Sequence, residues 1–76
     1  MAYIDMDLNF EQLSAQKLLR QALRAIDALL PGQVLKVTGR EASTIGSFAN
    51  ICRTLGHKLI ETVAWDDEYT LLVEKH

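Results

Sequence analysis

The chain has 76 residues, with eight Lys plus Arg against ten Asp plus Glu and a formal net charge of −2 with His neutral. Apolar residues make up 49% and charged ones 24%, the composition of one small globular domain over residues 1–76 rather than of a disordered, fibrous or membrane chain. The single cysteine, Cys52, excludes an internal disulfide, and with only two His a closed four-ligand zinc site would need carboxylates to complete it.

The small acidic balance gives no electrostatic reason to expect nucleic acid or an anionic membrane as partner. No apolar stretch approaches the roughly 18 residues that span a bilayer. The N-terminal segment lacks a basic region followed by an apolar run, so the expectation is a cytoplasmic protein without a secretory signal.

Residues 3 to 8 alternate, with Ile4, Met6 and Leu8 on one side and Tyr3, Asp5 and Asp7 on the other, which is the period of a strand with one buried face. Asn9 to Ser14 interrupts the pattern. Asn9, with Gln12 three residues on, or Ser14 offers a cap for a helix from Ala15. In that helix Leu19, Ala22, Leu23, Ile26 and Leu30 recur at helical spacing, and the turn at Pro31-Gly32 ends it by Leu29 or Leu30.

Val34 to Thr38 reads as the second strand. Ser43 or Thr44 can cap a second helix with Ile45, Phe48, Ala49, Cys52 and Leu55 on its apolar side, and Gly56 stands where a left-handed C-terminal cap belongs. Two more strands, roughly Lys58 to Trp65 and Tyr69 to Lys75, flank Asp66-Asp67-Glu68 and predict a hairpin.

The order is β-α-β-α-β-β. The first helix has the length of a parallel crossover, while the final pair must be antiparallel, so the sheet is mixed. Two helices with one apolar stripe each cover one face of a four-stranded sheet. The fold class is therefore α/β of the α+β type, a two-layer sandwich with both helices on one side.

Candidate chemistry is sparse. Cys52 is the one strong nucleophile, yet it falls late in the apolar stripe of the second helix, where neither a helix N-terminus nor a cation favours a thiolate. His57 and His76 have no Cys or second His at ligand spacing, so no metal is expected. Asp5 and Asp7 share the wet side of the first strand, as alternation alone would place them. Four glycines at 32, 39, 46 and 56 are too far apart for a phosphate loop.

Lys17, Arg20 and Arg24 form a cationic stripe on the first helix, at i, i+3 and i+7, that repels itself unless Glu11, Asp27 or a neighbouring carboxylate offsets it. A solvated face or a docking surface for an acidic protein both account for it. Trp65 suits either an interface anchor or a lid on the core.

The stretch Leu8 to Lys17, the turn Leu30-Pro31-Gly32-Gln33-Val34-Leu35 and above all Thr54-Leu55-Gly56-His57-Lys58-Leu59 resemble the small sulfur-carrier family called TusA or SirA-like, over about residues 4 to 75. The resemblance implies a βαβαββ sandwich similar to the C-terminal domain of translation initiation factor three. It also implies a persulfide relay from a cysteine in a Cys-Pro-x-Pro motif opening the first helix. In this chain that cysteine's place falls on Ala15, followed by Gln16, Lys17 and Leu18, and the only proline is Pro31.

The relay chemistry thus has no nucleophile at its usual place. The expectation is a non-catalytic TusA/SirA-like protein-binding or regulatory module without cofactor, monomeric or a weak homodimer through an open sheet face bearing Tyr3 and Val34. Its partner would be acidic or of the sulfur-relay type, met by Lys17, Arg20 and Arg24. The alternative is a persulfide carrier that uses Cys52.

Overall fold

The computed structural model describes residues 3–9 and 14–76. The elements run β1 (Met6–Asn9), α1 (Ala15–Ala28), β2 (Val34–Gly39), α2 (Ala42–Thr54), β3 (Lys58–Trp65) and β4 (Glu68–Glu74). The four strands form one mixed sheet in the order β1-β2-β4-β3, with β1 parallel to β2 and the other two neighbouring pairs antiparallel. The α+β sandwich with both helices on one face is the observed architecture, and the fourteen residues of α1 carry the parallel crossover.

The register shows which side is dry. Leu35 and Val37 of β2 and Leu71 and Val73 of β4 are wholly buried, and Met6 and Leu8 of β1 pack against the same cluster. The helices fill it from above with Leu18, Ala22, Ala25, Ile26 and Leu29 of α1 and Ile45, Phe48, Ala49 and Cys52 of α2.

Three local expectations are corrected. The first strand begins at Met6, not at residue 3. Asp5 turns its carboxylate back to accept the Val34 backbone N–H at 2.8 Å, which breaks the alternation, and Ile4 lies beside Lys36 and Leu72 on the face without helices. The buried stripe of α1 is centred on Leu18, Ala22, Ala25 and Leu29. Leu19 and Leu23 are only half-buried, and Leu30 stands past the helix end and is exposed. Ser43 and Thr44 lie inside the first turn of α2, because Glu41 holds the cap position with an extended backbone and its carbonyl accepts from Ile45.

The punctuation expected of the sequence is present elsewhere. Ser14 caps α1 by accepting the Lys17 N–H, so Asn9 does not; Gln12 lies outside the described residues. Pro31 and Gly32 occupy the centre of a turn closed by the Gln33 N–H on the Leu30 carbonyl, with Gly32 at φ +89°, a combination that suits Pro followed by Gly in a type II turn. At the end of α2, Gly56 adopts φ +87°. The His57 N–H reaches the Cys52 carbonyl and the Gly56 N–H the Arg53 carbonyl, a Schellman closure.

Candidate functional site

Since β1 and β2 run in the same direction and each is followed by a returning helix, α1 and α2 lie side by side with their N-termini at the same end. Gln16 and Leu19 of α1 therefore meet Ser43, Thr44 and Ser47 of α2 in one shallow hollow. A second hollow lies at the other end, where Leu23, Arg24, Ile26 and Asp27 face Leu55 and His57. The two hollows share no lining residue.

The cationic stripe runs along the exposed side of α1. Lys17, Arg20 and Arg24 are all exposed, and Arg24 lines the second hollow directly. Among the described residues none of the three makes an ion pair; the pair shown is Lys36 with Asp7, at 4.0 Å across β1 and β2. Asp27 shares the hollow with Arg24 without an ion pair to it, and Glu11 lies outside the described residues.

Cys52 faces the sheet and has no exposed surface. Loss of water around the thiol pushes its pKa up from 9.0 to about 11, so it is protonated at neutral pH and out of reach of a second protein. Ala15, which stands where the relay cysteine would be, is the first residue of α1, just after the Ser14 cap.

The remaining candidates have structural partners. Asp5 accepts a backbone N–H and Asp7 faces Lys36, so the two carboxylates are not a free acid–base pair. His57 is half-buried beside the second hollow, and its Nδ1 accepts the His76 backbone N–H at 3.0 Å. Its pKa is lowered by burial first, then by the charges of Lys75 and His76. Among the described residues no three His, Cys, Asp or Glu side chains come together as a metal cluster.

Trp65 is not a lid on the core: it is 75% exposed at the hairpin end, beside Arg40, Asp66, Asp67 and Glu68. Val34 is buried, so it is not part of an exposed apolar patch with Tyr3. The uncovered sheet face instead presents a hollow among Ile4, Lys36, Glu61, Val63, Thr70 and Leu72. No described helix is long and apolar enough to cross a membrane.

The two hollows between the helices do not follow from a single apolar stripe on α1. A signal was present. Leu18, Leu19, Ala22, Leu23, Ala25, Ile26 and Leu29 cover a wider arc than one contact with the sheet requires, and the excess, Leu19 and Leu23 at i and i+4, turns toward α2.

No protein-family model matches the chain, and no curated protein matches it. Among solved structures it is similar to the solution structure of HP1264 from Helicobacter pylori, at 16% identity and a TM-score of 0.59, over 91% of this chain and 95% of that one. Likeness at that identity is likeness of fold: a βαβαββ chain of this size with two helices on one side of a mixed sheet.

Proposed function

We propose that this chain is a divergent TusA/SirA-like module that binds a protein rather than performing sulfur chemistry, and that it docks an acidic partner on the α1 surface formed by Lys17, Arg20 and Arg24. The observation that carries the reading is the stripe itself. Three exposed cations lie on one helix with no ion pair to any described residue, in a chain whose net charge is negative. Like charges three and four residues apart cost a helix a few tenths of a kcal/mol each, and a carboxylate-bearing surface would offset that cost.

The absence of a nucleophile at position 15 and the burial of Cys52 both support binding over persulfide transfer. The test is capture of cellular partners by the immobilised chain and by the Arg20→Glu/Arg24→Glu double variant. The wild-type chain should retain its partner at low salt and lose it as salt rises. The double variant should retain at least about tenfold less, the scale of one or two exposed charge contacts reversed. Capture that ignores the double reversal overturns the reading.

A further inference from the structure

We infer that two copies of this chain associate through the sheet face that the helices leave bare, about a two-fold axis running along β4 over Leu72. The surface is separate from the α1 stripe, so loss of one association leaves the other in place.

The register builds this face. Leu35, Val37, Leu71 and Val73 point to the helices, so Lys36, Thr70 and Leu72 point the other way. Leu72 pairs with Lys36 on one side and with Glu61 on the other, which sets the three in one row across β2, β4 and β3. The next row toward the hairpin holds Thr70 and Val63. These five side chains and Ile4 line one open hollow, neutral or apolar in the middle and oppositely charged on its two flanks. Val63 and Ile4 are 43% and 41% exposed, and Leu72 is half-buried.

The order of the charges commits the occupant. Lys36 and Glu61 stand two strand spacings apart, about 10 Å, too far to pair within one sheet row. Lys36 has Asp7 at 4.0 Å, and among the described residues Glu61 makes no ion pair. A half-turn about the β4 axis lays Leu72 on its own counterpart and puts Lys36 of each copy over Glu61 of the other. Sheets packed face to face stand about 10 Å apart, a gap that a lysine from one side and a glutamate from the other can span.

An anionic surface would meet Lys36 and repel Glu61, and a cationic one the reverse. A second copy offers both charges in the matching order. Glu74, which the axis brings toward its own counterpart, has Lys58 opposite it in the register, so that end of the face joins two anions with two cations.

The patch is small beside the 20–30 residues a side of a standard interface, so the dimer is weak, with a dissociation constant on the order of 0.1 mM. It is also closed, because each copy uses the same patch and none is left over. Both helix layers face outward in it, which leaves two α1 stripes open and makes the pair bivalent toward an acidic partner.

Sedimentation equilibrium of the full chain from about 0.02 to 2 mM tests this. The mean mass should rise from one chain toward two and go no further. Lys36→Glu and Glu61→Lys, each with its fold checked by circular dichroism, should each weaken association at least about tenfold. Their equimolar mixture should regain it, because in the mixed pair both cross-contacts again join opposite charges. Leu72→Gln, which leaves every charge in place, should also weaken association.

A wild-type chain that stays monomeric at about 2 mM, or a mass that passes two chains, overturns the inference. So does a mixture that associates no better than its components, or indifference to Leu72→Gln. Arg20→Glu/Arg24→Glu should associate as the wild type does. Loss of self-association in that variant would assign the contact to the α1 stripe and overturn the sheet face.

Discussion

Cys52 and His57 show how environment decides what a reactive side chain does. The Cys52 thiol is enclosed by the sheet and both helices, and with a pKa near 11 only a trace is ionised at pH 7.5. A maleimide should therefore leave the folded protein unlabelled over an hour and label it within minutes in denaturant, as read by intact mass. Cys52→Ala should cost about 1 kcal/mol of stability, the scale of a small cavity. Incubation with a cysteine desulfurase and cysteine should leave the mass unchanged. A gain of about 32 Da, one sulfur as a persulfide, that vanishes in Cys52→Ser would restore the carrier reading.

His57 carries the opposite kind of information. Its Nδ1 accepts a backbone N–H, so the folded state holds the neutral ring with its proton on Nε2, and its pKa lies below the ordinary 6.5. As pH falls through 6.5 the unfolded chain takes up this proton before the folded chain does. The stability that the neutral ring confers is thus complete above about pH 7 and declines below 6.5, and the decline ends once the folded ring also protonates. Urea midpoints measured between pH 7.5 and 5.5 should fall for the wild type and fall less for His57→Gln. Parallel slopes would remove His57 as the cause.

At the scale of elements, the hairpin shows a rule of alternation being reset. From Leu59 a strict period of two would place Glu61, Val63 and Trp65 on the helix side with it. The register slips between Leu59 and Glu61, so Leu59 stays opposite core Val73 while Glu61, Val63 and Trp65 pair with Leu72, Thr70 and Glu68 on the uncovered face. One extra residue, Ile60, thus puts Trp65 in solvent. The composition of the segment is strand-like throughout, and nothing local marks the slip.

The loop of the same hairpin is two residues long, Asp66 and Asp67, and Asp66 sits at φ +52°. Asp tolerates the left-handed region better than most residues, and a β-branched side chain tolerates it worst. Asp66→Gly should hold or raise stability by up to about 1 kcal/mol, whereas Asp66→Val should lower it by about 1–2 kcal/mol in thermal or urea unfolding. A valine variant as stable as the wild type would contradict the left-handed loop.

At the scale of the whole molecule, the core is one layer of side chains between two helices and three strands, since β3 is exposed along nearly its whole length. A chain of this size has roughly 4–11 kcal/mol of net stability, so one large cavity consumes much of it. Leu71→Ala, at a fully buried position in the central strand β4, should lower the unfolding free energy by about 3 kcal/mol with an unchanged urea dependence. A loss below about 1 kcal/mol would mean that the layer collapses to refill the space.

The sequence by itself determined the order of the elements, the turn at Pro31-Gly32, the cap at Gly56, the mixed sheet and the want of a cysteine at position 15. These are written in local periodicity and in residues with restricted or permissive backbones, which act within a few positions of themselves. Only the tertiary structure decided that Leu19 and Leu23 turn to α2 rather than the sheet, that Asp5 bends β1 away from Ile4, and that Trp65 faces solvent. Each depends on a neighbour distant in sequence: α2 for the leucines, the Val34 N–H for Asp5, the β4 register for Trp65. The arginines of α1 were legible from their spacing, and the hollows between α1 and α2 were not, because such hollows exist only once two helices have been set side by side.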